Sequence, residues 1–267
     1  MKLPTYFISH GGGPWPWMPD MRQGTRVLEA ALKDMPRQIG VTPKAILMIS
    51  GHWEDAAFAV MSSPHPGMLY DYYGFPPHTY NVVYAAHGAP EVAQRVQSLI
   101  AAAGLPTRLD ADRGFDHGAF SPLEVMYPKA DVPVVQLSLQ QGLDPAQHIA
   151  LGRALAPLRF EGVLIVGSGL SYHNLRLFGP AGRAPSQAFD GWLQAAMGAA
   201  PAQREAQLLQ WEAAPSARTA HPREEHLIPL MVAVGAAFDE ESTCVYHEEG
   251  VFGGVTASSF RLGAVPQ

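Results

Sequence analysis

Three short runs of aliphatic and β-branched residues each pass directly into a small-residue turn that carries a histidine. Tyr6-Phe7-Ile8-Ser9 leads to His10-Gly11-Gly12-Gly13-Pro14, Ile46-Leu47-Met48-Ile49 leads to Ser50-Gly51-His52-Trp53, and Val163-Leu164-Ile165-Val166 leads through Gly167-Ser168-Gly169 to Tyr172-His173-Asn174. Apolar runs of this length read as strands buried on both faces, the pattern of a parallel sheet. In an open α/β sheet ligands gather beyond the carboxyl ends of parallel strands. If the three strands are parallel, their three histidines lie together at one edge of the sheet.

The rest of the chain agrees with that architecture. Further strand-like runs occur at Phe58–Met61, Val132–Leu139, Thr243–Tyr246 and Val255–Phe260. They alternate with helical patterns at Val27–Met35, Pro90–Ala103, Pro145–Leu155, Ser186–Met197, Ala202–Glu212 and Leu227–Phe238. The expected fold is α/β, a single domain spanning 1–267 with a central, mostly parallel or mixed sheet covered by helices on both faces. The segment Ser62–Gly88 has no clear period and is rich in Pro, Gly, Tyr and His, which predicts an ordered excursion over one edge of the fold. It covers the site of its own subunit or reaches a neighbour.

Charge narrows the partners. Charged residues are 16% of the 267, the formal net charge is −6, and Lys and Arg form no run, so neither nucleic acid nor an anionic membrane surface is an expected partner. No apolar run approaches the ~20 residues of a membrane span. The single cysteine, Cys244, closes no intrachain disulfide and reads as a small buried hydrophobe, which suits a reducing, cytoplasmic setting. The low charge density is compatible with a homodimer, although no heptad or interface pattern specifies one.

Imidazole is a borderline ligand suited to Fe(II) or Zn(II), so the histidines at strand ends point to a metal centre. The glycine runs match neither the phosphate-loop nor the dinucleotide spacing. Two further groups carry histidines. His221-Pro222-Arg223-Glu224-Glu225-His226 precedes an apolar helix, with His226 the better ligand candidate and Glu225 either an alternative ligand or an orienting group. Asp112-Arg113-Gly114-Phe115-Asp116-His117-Gly118 reads as a turn, with His117 either structural or a hydrogen-bonding and proton-carrying group at a substrate. His148 reads as a surface residue of its helix. Tyr72, Tyr73 and His78 are candidates for a pocket wall, and Arg113, Arg176 and Arg223 for binding a substrate carboxylate.

Taken in order, His10-Gly-Gly-Gly-Pro14, Ser50-Gly-His-Trp53, Tyr70-Asp-Tyr-Tyr-Gly-Phe-Pro76, Phe115-Asp-His-Gly118, Ser171-Tyr-His-Asn-Leu-Arg176 and His221-Pro-Arg-Glu-Glu-His226 resemble the class III extradiol ring-cleavage dioxygenases. More narrowly they resemble the 4,5-DOPA extradiol dioxygenase-like branch, over about residues 5–262. The resemblance implies mononuclear Fe(II), a site that Zn(II) also occupies in isolated members, held by His10, His52 and His226. It implies His173 as the catalytic acid/base, and beside it His117 is read as a catalytic residue that holds a substrate hydroxyl or the developing anion. The reaction implied is insertion of both atoms of O2 into a catechol, DOPA-like or another small dihydroxy-aromatic, to give a muconic semialdehyde. In the wider class the third ligand is a glutamate, which keeps Glu225 open as a ligand beside His226. Two alternatives share the same histidines: a zinc hydrolase, which would turn over without consuming oxygen, and a Memo-type binding protein without ring cleavage.

Overall fold

The computed structural model describes residues 2–266. The strands are β1 (Thr5–Ser9), β2 (Ala45–Asp55), β3 (Phe58–Met61), β4 (Thr107–Asp110), β5 (Val134–Gln140), β6 (Val163–Gly169), β7 (Ser242–Val251) and β8 (Val255–Leu262). They form one mixed sheet in the order β4-β3-β5-β2-β6-β1-β8-β7. Its centre, β5-β2-β6-β1, is parallel, and β8 adds antiparallel to β1 while β3 adds antiparallel to β5. The α/β expectation is met, and the central strands are almost wholly buried, as their unbroken apolar runs require.

The helices are α1 (Pro19–Gly24), α2 (Arg26–Ile39), α3 (Pro90–Ala102), α4 (His117–Met126), α5 (Pro145–Leu155), α6 (Arg183–Gly198), α7 (Pro201–Leu209), α8 (Ala217–Ala220) and α9 (Ile228–Ala236). Two consecutive residues of β6 show that both faces are covered. A Cβ on Gly167 would meet Pro229 O of α9 at 2.3 Å, whereas the next side chain, Ser168, donates through Oγ to Gly118 O of α4. Successive strand side chains point to opposite faces, so α9 and α4 lie on opposite sides of the sheet. α5 packs on α9, and α2 on α4. Among the described residues no helix is long and apolar enough to cross a membrane.

Two sequence readings are corrected here. His148 is not on the surface of α5 but fully buried. Its Nδ1–H donates to Asp144 O (2.7 Å), its Nε2 accepts from Gln140 N (3.2 Å), and its ring meets Phe58 edge-on at 5.4 Å. A neutral imidazole with both nitrogens satisfied can be buried at little cost. Cys244 is exposed rather than buried, because β7 is the outermost strand and that part of it is uncovered on the side Cys244 faces.

Candidate metal centre and its two carboxylates

The parallel arrangement brings the carboxyl ends of β1, β6 and β2 side by side. His10 follows β1 directly and is fixed through its backbone, with His10 N donating to Gly169 O (3.1 Å) and its carbonyl accepting from Trp15 Nε1 (2.8 Å). Gly11 makes that turn possible: its φ is +83°, and a Cβ there would lie 2.3 Å from the Trp15 indole nitrogen. His52 sits in a bulge, where the pairing of β2 with β5 slips between Ile49 and Glu54. Bulges re-aim a side chain in this way. His226 lies in the turn before α9, close against β6, where Leu170 N donates to His226 O (3.1 Å).

The three side chains converge. His52 Nε2 is 3.2 Å from His10 Nε2 and 3.1 Å from His226 Nε2. His10 and His226 are buried, 1% and 3% exposed. Burial, followed by the neighbouring imidazoles, pushes both far below the ordinary histidine range, and burial brings His52 down to about 4. All three rings are therefore neutral at pH 7 and offer lone pairs.

Two carboxylates decide which nitrogen carries each proton. Asp71 Oδ2 faces His52 Nδ1 at 3.2 Å, and its Oδ1 accepts from His117 Nδ1 (2.8 Å) and from the His117 backbone N–H (2.9 Å). Glu225 Oε1 faces His226 Nδ1 at 2.9 Å and His173 Nδ1 at 3.0 Å. An ionised carboxylate accepts only, so His117 Nδ1 and His226 Nδ1, which hydrogen-bond to Asp71 and Glu225, carry the hydrogen, and the facing carboxylate oxygens favour it on His52 Nδ1 and His173 Nδ1 as well. Burial pushes both carboxyls up, but hydrogen bonds and charge from His117 and His52 on Asp71, and from His173 and Arg223 on Glu225, hold them below their usual range.

It follows that His52 Nε2 and His226 Nε2 both present lone pairs, aimed at each other across 3.1 Å. Two lone pairs in that relation repel unless a cation lies between them. Metal–nitrogen bonds of roughly 2.0–2.1 Å place adjacent ligand nitrogens about 2.9 Å apart at right angles and about 3.4 Å apart at the tetrahedral angle. The observed separations lie between these limits. The donor set His10, His52 and His226 thus fits a metal ion of the Zn(II) or Fe(II) kind.

Of the other candidates, His173 stacks on His226 with ring centroids 3.4 Å apart, and His117 lies 3.9 Å from His52 centroid to centroid. His221 is elsewhere, buried with Nε2 on Ser171 O. Tyr72 reaches the site, its ring 5.8 Å from that of His117 and its hydroxyl donating to Thr79 O, and burial pushes its phenol up to about 12. Tyr73 is 92% exposed, and His78 is exposed beside Trp17 O. Arg113 is held by Asp116 and stacks over Trp53, and Arg223 is paired with Glu54, whereas Arg176 forms no ion pair among the described residues.

Asp71 was missed from the sequence, although it is the only acid in the excursion Ser62–Gly88 and stands among aromatic residues, which is a readable signal. His117 was assigned to a turn but opens α4, with Asp116 as its N-cap accepting from Ala119 N. Gly118 is tolerated inside that helix because a Cβ would meet Ser50 Oγ at 2.5 Å and His52 Cδ2 at 2.9 Å.

Comparison with known proteins agrees with this geometry. Residues 5–263 match the family described as the catalytic LigB subunit of aromatic ring-opening dioxygenase. A 4,5-DOPA dioxygenase extradiol of Beta vulgaris is 40% identical over 263 residues, covering 97% of this chain and 96% of that protein. The dioxygenase tasH of Hapsidospora irregularis is 35% identical, covering 92% and 82%. The crystal structure of the uncharacterized protein JW3007 from Escherichia coli K12 superposes with a TM-score of 0.80 at 28% identity, covering 98% of this chain and all of that one. With the family matched across nearly the whole chain and a histidine cluster suited to a metal at the strand ends, this protein is a dioxygenase of the LigB, class III extradiol family.

Proposed function

We propose that the chain, as one catalytic domain over 1–267, opens the ring of a small catechol beside a hydroxyl-bearing carbon. Both atoms of O2 enter the product, a muconic semialdehyde. His10, His52 and His226 would hold Fe(II), with Zn(II) able to occupy the same donors. The observation that carries this reading is the pair of facing Nε2 lone pairs on His52 and His226, each fixed by a carboxylate on the opposite ring nitrogen. When bound, Fe(II) supplies open positions at which catechol and O2 meet, and a route for electron density from ring to oxygen.

The protein's own contribution is proton handling and orientation. Catechol plus O2 gives the ring-opened acid with no net gain or loss of protons, so a proton taken from a hydroxyl must be returned. His173 suits that task, because Glu225 holds its Nδ1–H and leaves Nε2 as the base. In this reading His117, oriented through Nδ1 by Asp71, accepts a hydrogen bond from the second hydroxyl, or donates one once protonated. Tyr72 supplies a neutral aromatic wall. A glutamate ligand is disfavoured by Glu225 Oε1 facing two δ nitrogens and not the ε nitrogens.

A DOPA-like substrate is favoured by the Beta vulgaris relative, and Arg176 is the arginine best able to meet its carboxylate, since Arg113 and Arg223 are already paired. The cytoplasm is the proposed setting, in keeping with a single cysteine. The test is oxygen uptake by anaerobically Fe(II)-loaded protein across a catechol panel that includes DOPA, read with the absorbance of the yellow ring-cleaved product. Uptake matched one to one with product supports the reading; full iron loading with no uptake on any catechol overturns it.

A further inference from the structure

The excursion Ser62–Gly88 is stitched to the rest of the fold beside the site. Phe115 N donates to Gly67 O (2.8 Å), Leu69 N donates to Phe115 O (2.7 Å), and Met68 forms a parallel bridge with Phe115. This short register brings Asp71 alongside His117, where Oδ1 receives both the backbone N–H that opens α4 and the ring Nδ1–H. Tyr70 and Tyr72, on either side of it, donate to Val82 O and Thr79 O and hold the excursion to itself. Among the described residues, Oδ2 is paired only with His52 Nδ1.

We propose that Asp71 is a positioning residue that sets the tautomer of His52, and thereby makes the excursion part of the metal site. The inference rests on His52 being a ligand, as proposed above. His52 has two neutral tautomers, and only the one protonated at Nδ1 presents Nε2 to a metal. Asp71, an acceptor at both oxygens, selects that tautomer. Partners of this kind beyond the ligands typically contribute about 10–100-fold in metal affinity.

The geometry separates this role from simple support of the loop. In Asp71→Asn the amide oxygen must take the Oδ1 position, because the His117 backbone N–H and Nδ1–H both donate there. The NH2 is forced to the Oδ2 position, where it donates to His52 Nδ1 and drives the proton to Nε2. Asparagine thus keeps the loop contact and inverts the tautomer, while alanine loses both.

The experiment is Zn(II) affinity by competition with a chromophoric chelator, together with long-range proton–nitrogen NMR of the metal-free histidines. His10→Ala serves as the control for the ligand assignment itself. The expected result is that Asp71→Asn loses about as much affinity as Asp71→Ala, roughly 10–100-fold, with the His52 proton moved to Nε2 and the thermal midpoint of metal-free protein close to the parent. Parental affinity in Asp71→Asn, with His10→Ala impaired, overturns the role of Asp71. Parental affinity in both variants overturns the metal assignment instead.

Discussion

His173 and His226 lie face to face, ring centroids 3.4 Å apart and planes 21° apart, with one oxygen of Glu225 against the Nδ1 of each. One carboxylate therefore orients a proposed metal ligand and the proposed proton carrier, and the two roles can be separated by substitution. His173→Ala removes the base but leaves the three converging nitrogens, so kcat should fall about 10²–10⁴-fold with Zn(II) affinity little changed. Glu225→Ala should lower both. Turnover and metal titration on the same preparations check the pair, and equal loss of metal affinity in the two variants would contradict the division of roles.

Metal binding should also appear as stability. A ligand that binds only the folded state at 100 times its Kd adds about 2.7 kcal/mol, which for a chain of this size is about 5 °C in Tm. Calorimetry of chelator-treated protein with and without Zn(II) should show that rise, and His10→Ala, which removes one of three donors, should show far less of it. Addition of metal without any shift in the parent would count against the site.

The sheet was legible because its central strands are uninterrupted apolar runs, and the cluster of histidines because β1, β2 and β6 lead into glycine-bearing turns that carry His10, His52 and His173, with His226 signalled separately by His221-Pro-Arg-Glu-Glu-His226. β4, Thr107–Asp110, was not, since it is a partly exposed edge strand of mixed polarity. α4 was hidden by Gly114, Asp116 and Gly118, residues of a turn by local preference; here Gly114 is required by the close approach of the Gly67 backbone, Asp116 caps the helix, and Gly118 is required by the close approach of β2. Asp71 acts on a histidine 46 positions away, a relation with no periodic trace in the chain. His148 looked like a surface residue because its helix is only weakly amphipathic; the partners that bury it, Gln140 and Phe58, come from strands.

That burial has a consequence in acid. His148 is pushed down to about 4 by desolvation, against about 6.5 in an unfolded chain. Between these values the unfolded state binds the proton and the folded state does not. The stabilisation is thus complete above pH 6.5, declines as pH falls toward 4, and changes no further below that, with a total of about 3 kcal/mol. Urea unfolding at intervals from pH 7.5 to 4 should show a decline that is shallower in His148→Gln, even though the variant is less stable at neutral pH. His221, brought down to about 3 by burial, contributes in the same direction and remains in the variant. An unchanged pH slope in His148→Gln would show that His148 is not neutral and buried in the folded state.

Gly118→Ala sets two effects against each other. Within a helix, alanine is favoured over glycine by about 1 kcal/mol, and Gly118 lies in α4. The added Cβ, however, would stand 2.5 Å from Ser50 Oγ and 2.9 Å from His52 Cδ2. Ser50 cannot simply turn away, because its hydroxyl donates to the buried Asp116 carboxylate (2.8 Å) and accepts from His52 N (3.2 Å). Overpacking of this kind typically costs about 1–3 kcal/mol, so the clash should at least cancel the gain in propensity. The relaxation open to the protein moves the His52 ring, and with it Nε2, away from His10 and His226. Gly118→Ala should therefore lower Zn(II) affinity more than it lowers Tm of the metal-free protein. A stabilised variant with parental affinity would mean that α4 and the β2 bulge can separate without disturbing the site.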